Sequence, residues 1–320
     1  MKRILITGAS GFIGSNLLEA LQPKGYKLYA LVRDPSKLET HNETVEIVKG
    51  DLTDSNLKLP EVDYVYHIAG VVKAKNYREF YDVNYIGTVN LVRNILKQKN
   101  KLKGFFFLST LAINGGEEEI ISFDTTENPK THYAKSKLLA EYHLLKYSAN
   151  FPIIIVRPTA VYGPGERELL KYFKFVKNGY GPILNKNSFY SFIFIVDLVN
   201  ILLLLLEKEN NIRGIVIASD GKKYLWDDVV KTLSKKMDIK PRFVYIPKFF
   251  VYVAAAVNTL LNYFRKKPSI LTIDKIKEIF KKSWFCDISD LKNIIGYNPV
   301  YDLDKGLDLT LEWYKSNRWL

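Results

Sequence analysis

Short apolar runs alternate with longer amphipathic stretches through the first half of the chain. The apolar runs are nearly continuous, as expected for strands of a parallel sheet whose two faces are both covered. This alternation predicts repeated strand–helix units over a parallel sheet. The predicted strands are Arg3–Thr7, Lys27–Val32, Val45–Val48, Tyr64–Ile68, Gly104–Ser109 and Ile153–Arg157, and the predicted helices are Phe12–Leu21, Tyr77–Gln98 and Tyr133–Tyr147.

The pattern changes after Arg157–Pro158. Glycine and proline breaks then enclose a helix-like segment, Glu166–Lys177, which precedes a strand-like run at Phe189–Ile195 and a very apolar helix at Asp197–Glu207. The carboxyl-terminal third is mostly helical by pattern and ends in an amphipathic helix near Leu303–Ser316. The sequence therefore predicts an α/β fold in which a smaller lobe lies over the carboxyl edge of a doubly wound sheet, where such sheets bind ligands.

One segment, Phe249–Leu261, is unusually apolar and is flanked by Lys248 and by Arg265–Lys266–Lys267. It is shorter than the run of about 20 apolar residues that a bilayer-spanning helix needs. Two interpretations remain open at this point. The segment forms a buried helix of the small lobe, or it forms an interfacial helix whose basic flanks meet anionic lipid head groups.

The balance of charge favours anionic partners. The chain has 47 Lys and Arg against 34 Asp and Glu, for a formal net charge of +13. The lysines are scattered along predicted helices and no nucleic-acid-binding motif accompanies them, so we expect a phosphate-bearing cofactor and no nucleic acid. The sequence predicts no metal site.

The cysteine content and the amino terminus bear on location. The lone cysteine, Cys286, excludes an internal disulfide framework and fits a reducing compartment. Lys2 and Arg3 are followed by only three apolar residues before a glycine turn, far short of the apolar region of a signal peptide. We therefore expect a cytoplasmic protein, with membrane association through residues 249–261 as the open alternative.

A glycine-rich turn, Gly8–Ala9–Ser10–Gly11–Phe12–Ile13–Gly14, joins the first predicted strand to the first predicted helix. The first glycine permits a sharp turn, the second lets the backbone approach a pyrophosphate, and the third lets the helix pack on the sheet. The helix amino terminus offers N–H groups and partial positive charge to phosphates. A glycine turn without a ligand is the alternative. The turn residues assigned to the cofactor are Gly8, Ser10, Gly11, Phe12, Ile13 and Gly14.

The end of the second strand bears on the choice of coenzyme. Enzymes that use NAD usually place an acidic residue there to bind the ribose hydroxyls. Arg33 stands there instead and can pair a 2′-phosphate, with Lys37 assisting, whereas Asp34 lies beyond the expected position but keeps NAD open. We predict NADP(H) over NAD(H). Asp51, after the third strand, is either a partner of the adenine amino group or a helix cap before Thr53–Asp54.

Tyr133 and Lys137 lie four residues apart, on one face of a predicted helix. A neighbouring ammonium stabilises a tyrosine phenolate and lowers the tyrosine pKa. Tyr133 is thus suited to exchange a proton with a substrate alcohol or carbonyl while a nicotinamide exchanges hydride. The pair alone means little in a chain with 21 tyrosines, so its context decides.

That context resembles the extended short-chain dehydrogenase/reductase superfamily, which includes the NAD-dependent epimerase/dehydratase family. The resemblance rests on the glycine turn, on the 23-residue spacing from Thr110 to Tyr133 and on Asn84. It runs from Lys2 to about Asp197 and continues weakly to the carboxyl end. Further matches are His67–Ile68–Ala69–Gly70, Arg157–Pro158–Thr159–Ala160–Val161–Tyr162–Gly163–Pro164–Gly165, Phe192–Ile193–Phe194–Ile195–Val196–Asp197 and Gly296–Tyr297–Asn298–Pro299.

The resemblance implies a Rossmann fold, with a catalytic and dinucleotide-binding core at residues 1–160 and a mostly helical substrate lobe at 161–320, from which the chain returns to the core. In the core, Thr110 binds the reacting oxygen, with Ser109 as the neighbouring alternative. Tyr133 is the acid/base, Lys137 its electrostatic partner and a ribose ligand, and Asn84 a structural and proton-relay residue. The remaining implied cofactor contacts are Leu52, Ala69, Gly70 and Pro158. Members of the family dimerise through the two long helices, here Tyr77–Gln98 and Tyr133–Tyr147.

Departures from the family pattern bear on the substrate. The family's 4,6-dehydratases carry an Asp–Glu pair where this chain has Leu111–Ala112, so dehydration is not expected. Its nucleotide-sugar epimerases carry asparagine at the place of Ala160 and a diphosphate-binding arginine at the place of Tyr190. These losses favour the branch that handles hydroxysteroids, dihydroflavonols and other hydrophobic alcohols and ketones. Divergence within the sugar branch stays open, with phosphate bound by the Lys281–Lys282 pair, by Arg167 or by Lys186.

Three functions follow in order of preference. The first is a net alcohol–carbonyl oxidoreductase that consumes free cofactor. The second is a nucleotide-diphosphate-sugar epimerase that recycles tightly bound cofactor through the same chemistry. The third is a cofactor-sensing binding protein of weak activity, which the presence of both Tyr133 and Lys137 disfavours.

Overall fold

The computed structural model describes residues 1–38, 44–99, 101–208, 214–262, 264, 268–269 and 271–320. The chain forms two compact units. The first comprises Met1–Ile113, His132–Arg157 and Val199–Val216, and the second comprises Asn114–Thr131, Pro158–Leu198 and Ile217–Leu320.

The strands in chain order are β1 (Arg3–Thr7), β2 (Lys27–Val32), β3 (Val45–Lys49), β4 (Tyr64–His67), β5 (Gly104–Leu108), β6 (Ile153–Pro158), β7 (Ala160–Tyr162), β8 (Tyr180–Ile183), β9 (Phe189–Tyr190), β10 (Phe192–Phe194), β11 (Gly214–Ala218), β12 (Tyr224–Leu225), β13 (Arg242–Tyr245) and β14 (Ser283–Trp284). The α-helices are α1 (Phe12–Leu21), α2 (Tyr77–Phe80), α3 (Gly87–Ile95), α4 (His132–Leu145), α5 (Leu169–Lys177), α6 (Ile195–Glu207), α7 (Trp226–Met237), α8 (Lys248–Asn262), α9 (Ile273–Ile279), α10 (Ser289–Ile295) and α11 (Leu303–Ser316).

The largest sheet has seven strands in the order β11-β6-β5-β4-β1-β2-β3. The pairings from β6 to β3 are all parallel, which confirms the predicted doubly wound arrangement. Its central strands are buried on both faces, as their continuous apolar sequences require. Because β1 lies between β2 and β4, the strand order reverses at the glycine turn, where such sheets bind ligands.

The predicted helix Tyr77–Gln98 is interrupted. A π turn, Tyr81–Ile86, separates α2 from α3. A π turn inserts one extra residue into a helix and often marks a functional site. Here it contains Asn84, whose side chain is almost fully buried.

The second unit contains small sheets and several helices. The predicted strand Phe189–Ile195 is divided, because β9 pairs with β12 and β14 whereas β10 pairs with β7. Asp197, in the first turn of α6, is fully buried and accepts hydrogen bonds from the Tyr297 hydroxyl and from the backbone amides of Val300 and Tyr301. Asp197 therefore anchors the loop that precedes α11. Cys286 is also buried, and burial raises the pKa of its thiol to about 12.

The apolar segment Phe249–Leu261, for which the sequence leaves two interpretations open, lies within α8. Of its side chains, Val251 and Ala255 pack against Ile276 in a small apolar cluster. Much of the rest of the helix is exposed, so the interpretation of a fully buried helix is wrong. The basic run Arg265–Lys266–Lys267 lies outside the described residues. Among the described residues no helix has the length and apolar character needed to cross a membrane.

Candidate active site

Most of the predicted site residues follow the carboxyl ends of neighbouring parallel strands. The glycine turn follows β1, Ala69 and Gly70 follow β4, and Thr110 follows β5. Because parallel strands end at the same edge of a sheet, this topology brings those loops to one edge of the first unit. Pro158, the last residue of β6, is grouped with the second unit.

At two positions of the turn there is no room for any side chain, so only glycine fits. Gly8 has a positive φ of 73°, and a Cβ there would lie 2.7 Å from the backbone nitrogen of Ala69. A Cβ at Gly14 would lie 2.1 Å from the carbonyl oxygen of Gly8. Gly11 is the N-cap of α1, and no side chain caps the first turn of the helix, so the amides of that turn suit a phosphate. The turn therefore fits a dinucleotide pyrophosphate.

Arg33 and Asp34 both follow β2, but their side chains have different surroundings. The Arg33 side chain is exposed. Asp34 accepts hydrogen bonds from the Ser36 hydroxyl at 2.7 Å and the Ser36 amide at 3.2 Å, and pairs with Lys37 at 3.4 Å. These contacts lower the pKa of Asp34. The carboxylate thus caps the following turn, and Lys37 is its partner.

Asp51 closes a turn, and the alternative of a helix cap is wrong, because no helix lies between β3 and β4. Its Oδ1 accepts hydrogen bonds from the amide and the hydroxyl of Thr53, both at 2.9 Å. The next residue, Leu52, is buried, and its carbonyl accepts a 2.9 Å hydrogen bond from Asn90. Both residues keep the loop after β3 in a fixed conformation.

Asn84 joins two candidate site segments. Its Oδ1 accepts from the Val71 amide at 2.8 Å, and its Nδ2 donates to the Val71 carbonyl at 3.1 Å. The same Nδ2 donates to the Ser136 hydroxyl at 3.0 Å, which in turn donates to the carbonyl of Tyr133 at 2.7 Å. The π turn therefore holds both the loop after β4 and the helix that carries the tyrosine–lysine pair.

Tyr133 and Lys137 lie one turn apart on α4, as predicted. Tyr133 is partly exposed, and its ring centre lies 6.2 Å from that of Phe80. Lys137 is buried, with Nζ 4.1 Å from the centre of the Phe107 ring. Burial lowers the pKa of Lys137 to about 7, although the carboxylate of Glu141 acts in the opposite direction. A Cβ at Gly70 would lie 3.8 Å from this Nζ, so the loop after β4 closely approaches the lysine.

The structure distinguishes Thr110 from Ser109. The Ser109 hydroxyl is buried and donates to the carboxylate of Glu141. That carboxylate also accepts from Arg157, whose Nε and Nη2 lie 3.1 Å and 2.6 Å from its oxygens. Thr110 is only partly buried, and its hydroxyl accepts a 3.2 Å hydrogen bond from the Ala112 amide. Ser109 is therefore committed to a buried ion pair, which leaves Thr110 as the candidate at the end of β5.

A buried histidine, for which the sequence predicts no role, links the ends of β1 and β4 to the π turn. His67 Nδ1 lies 2.7 Å from the Thr7 hydroxyl and Nε2 lies 2.8 Å from the Thr88 hydroxyl. Thr88 donates to the Asn84 carbonyl at 2.7 Å, so it accepts from Nε2–H, and Nδ1 accepts from Thr7. His67 is thus a neutral Nε2–H tautomer.

Neither the histidine nor the ion pair was predicted as part of the site. Glu141 follows Lys137 by four residues on α4, and that spacing was the available signal for its position beside the lysine. The match at His67–Ile68–Ala69–Gly70 marked the histidine without showing its partners. Those partners come from β1 and α3, so local sequence carries no sign of them.

The arrangement is that of a known family. A family model for the NAD-dependent epimerase/dehydratase family matches residues 4–218. The chain belongs to this family. It is therefore an enzyme of the extended short-chain dehydrogenase/reductase type.

Curated relatives match nearly the whole length of the chain. A ceramide reductase of Caulobacter vibrioides is 27% identical over 99% of this chain and 96% of that protein. A UDP-glucose 4-epimerase of Vibrio cholerae is 28% identical, with 97% of this chain and 95% of that protein covered. A decarboxylating sterol-4-alpha-carboxylate 3-dehydrogenase of Candida albicans is 24% identical over 99% of both chains.

Solved structures share the fold. The Bordetella bronchiseptica enzyme WbmG in complex with NAD superposes with a TM-score of 0.79 at 21% sequence identity. The match covers 98% of this chain and 94% of that one.

Proposed function

We propose that the protein is an NAD(P)-dependent oxidoreductase that interconverts a lipophilic alcohol and its carbonyl compound. The observation that carries the proposal is the pairing of a partly exposed Tyr133 with a buried Lys137 one turn later, beside the loop that follows β4. The nicotinamide supplies the hydride when it is bound. The glycine turn fits its pyrophosphate.

The chain's own residues supply the proton chemistry. In carbonyl reduction, the carbonyl carbon gains hydride and its oxygen gains the proton of the Tyr133 hydroxyl, which leaves a phenolate. The Lys137 ammonium stabilises that phenolate. Because the pKa of Lys137 is about 7, this lysine exchanges its proton near neutral pH. Thr110 orients the carbonyl oxygen by donating a hydrogen bond, and Asn84 holds α4 in place.

An aromatic cluster in the second unit supports a lipophilic substrate. Tyr190, at the place of the epimerases' arginine, packs against Trp226 with ring centres 5.5 Å apart. Tyr172 and Phe192 contact the same indole at 4.6 Å and 6.2 Å. Burial raises the pKa of Tyr190, so this hydroxyl stays neutral. A neutral, partly buried aromatic cluster gives a diphosphate none of the paired donors that a guanidinium provides.

Three of the four basic residues offered as substitutes for that arginine are engaged elsewhere. Lys281 pairs with Glu117 at 2.7 Å, and Lys282 pairs with Glu119 at 3.0 Å. Arg167 lies over the Trp319 ring, with its guanidinium carbon 5.2 Å from the ring centre. These contacts weaken the case for a nucleotide-diphosphate substrate. The relatedness to a ceramide reductase and a sterol dehydrogenase supports the lipophilic class.

NADP(H) is the proposed coenzyme. The exposed Arg33 is available to a 2′-phosphate. Asp34, the residue that kept NAD open, is occupied by Ser36 and Lys37. A carboxylate in those contacts is poorly placed to accept from both ribose hydroxyls.

A homodimer is the proposed assembly. Apolar side chains are exposed along the two helical segments through which the family dimerises. On α4 these are Leu139, Tyr142 and Leu145, with exposed fractions of 39%, 49% and 39%. Ile86 and Leu96 add to them on the other segment. Sedimentation of Tyr142→Lys against the parent protein tests the proposal, with a monomer expected for the variant.

A nucleotide-sugar epimerase is the second candidate, favoured by the UDP-glucose 4-epimerase relative. The two functions differ in what happens to the cofactor. An oxidoreductase oxidises added NADPH in step with ketone, whereas an epimerase interconverts UDP-sugars without net consumption of cofactor.

The test follows NADPH absorbance with a panel of long-chain and steroid ketones, and follows UDP-glucose in parallel. We expect ketone-dependent oxidation, lowered about a hundredfold or more in Tyr133→Phe, with cofactor binding retained. Thermal shift with cofactor is the folding control. UDP-glucose epimerisation without any ketone-dependent oxidation would overturn the proposal.

A further inference from the structure

The outward face of α8 is apolar along its whole length. Phe250, Val253, Val257 and Leu260 are exposed by 61%, 46%, 51% and 67%. Their spacing of three and four residues places them on one face of the helix. Phe264, just beyond the helix, continues the spacing and is 85% exposed. Monomeric proteins seldom leave so continuous an apolar surface in water without a partner.

The opposite face of α8 accounts for its attachment to the second unit. Val251 and Ala255 are buried with Ile276. Asn262 is also buried, and its Oδ1 accepts a 2.8 Å hydrogen bond from the Ser269 amide. The helix is therefore fixed by one face, while the apolar outward face takes no part in that packing.

The charged residues of the segment that contains α8 are all basic. Residues 239–273 contain six basic residues and no acidic residue. Among them, Lys240, Arg242 and Lys248 are exposed in the described part of the chain. The Lys248 Nζ lies 4.9 Å from the Phe280 ring centre, at the start of the helix. The segment thus combines an apolar face with charged residues that are all basic.

We propose that α8 binds the surface of an anionic lipid bilayer, with Phe250, Val253, Val257 and Leu260 inserted among the acyl chains near the head groups. Aromatic residues stand near both ends of this face, as is usual for helices at a membrane interface. The negative surface potential of such a membrane attracts the basic residues and so strengthens binding.

A second copy of the chain fits this face less well. Pairing two α8 helices would bring two segments of the same positive charge together, with no acidic residue in residues 239–273 to offset the repulsion. An anionic bilayer satisfies both the apolar face and the charge.

The inference does not depend on the proposed function, since lipid binding is measured without cofactor or substrate. If the protein both binds bilayers and acts on a lipophilic substrate, the first property assists the second. A lipophilic substrate partitions into bilayers, so an enzyme held at the bilayer surface meets it at high local concentration.

The experiment is co-sedimentation of the full chain with vesicles of phosphatidylglycerol and phosphatidylcholine in equal amounts. We expect binding that weakens in high salt, because salt screens the charge, and little binding to pure phosphatidylcholine. The variant Phe250→Ser/Val257→Ser/Leu260→Ser should bind about a hundredfold more weakly, since each change removes a large apolar side chain from the membrane. The variant Arg242→Gln/Lys248→Gln should lose affinity for the anionic vesicles only.

The matched control changes three exposed apolar residues elsewhere in the second unit, as Phe123→Ser/Phe175→Ser/Val300→Ser. These side chains are exposed by 53%, 49% and 58%, and vesicle binding should be unchanged. Thermal unfolding of each variant checks that it is folded. Equal loss in both triple variants, or no vesicle binding by the parent protein, overturns the proposal. A different result would identify self-association instead. In that case the parent protein does not bind vesicles, and the α8 triple variant sediments as a smaller species than the parent protein.

Discussion

The side-chain amide of Asn84 donates a 3.0 Å hydrogen bond to the hydroxyl of Ser136 and so fastens the π turn to α4. Asn84→Ala removes this bond and both bonds to Val71. We expect the free energy of unfolding to fall by about 1–3 kcal/mol and kcat to fall with it, because the helix bearing Tyr133 loses its support. Ser136→Ala removes one contact of the three, together with the bond from Ser136 to the Tyr133 carbonyl. It leaves both bonds to Val71 and should cost less in both urea unfolding and turnover. Equal effects of the two substitutions would contradict this view of Asn84.

The exposed Arg33 predicts a selective change in coenzyme binding. Arg33→Ser should raise the Kd of NADP(H) by about tenfold to a hundredfold, as expected for loss of a charge-assisted hydrogen bond. The Kd of NAD(H) should change little. Lys37→Ser is the control, since Lys37 pairs with Asp34. Titration calorimetry with both coenzymes measures the difference, and an equal loss for the two would refute the NADP(H) assignment.

The buried pair of Glu141 and Arg157 predicts a large loss of stability when it is broken. Both side chains are 1% exposed, and Nη2 lies 2.6 Å from the carboxylate. Glu141→Gln leaves the guanidinium buried without its counter-charge, and we expect a loss of about 3 kcal/mol or more. The double variant Glu141→Gln/Arg157→Met should recover part of that loss in urea unfolding. A double variant that is no more stable than the single one would show that the pair is not the cause.

The neutral His67 predicts a stability that depends on pH. Burial holds the pKa of His67 well below its usual value, and the charge of Lys137 acts in the same direction. As pH falls below about 6.5, the unfolded chain binds a proton at this histidine and the folded chain does not. The free energy of unfolding should therefore decrease as pH falls through that region.

Comparison with His67→Gln isolates this contribution, because the other titrating groups are common to both proteins. The variant should show a shallower decrease between about pH 7 and about pH 5 in urea unfolding. Parallel curves for the two proteins would mean that His67 takes up its proton as readily in the folded state as in the unfolded state.

The elements of the large sheet were predictable from local pattern, and the irregular ones were not. Strands such as Arg3–Thr7 are continuous apolar runs, so their bounds agree with the structure. The division of the predicted strand at Phe189–Ile195 depends on distant partners. At its centre, the Ser191 amide donates to the Trp284 carbonyl and its hydroxyl donates to the Lys222 carbonyl. Such contacts leave no trace in the local sequence.

The same limit applies to the candidate site. Tyr133 and Lys137 were predictable because helical spacing alone places them one turn apart. The resemblance placed Thr110 before Ser109, but the structural reason was not predictable, because it depends on Glu141 reaching the end of β5 from another element. The π turn around Asn84 was not predictable from the sequence either, since apolar periodicity continues on both sides of it.

The burial of Cys286 makes the chain convenient for spectroscopy. This thiol is the only one in the sequence, and its burial and raised pKa should make it slow to react with maleimides or spin labels. A cysteine introduced on the outward face of α8, as in Val257→Cys, would then be labelled alone. An environment-sensitive fluorophore at that one position would report directly whether water or hydrocarbon surrounds the helix.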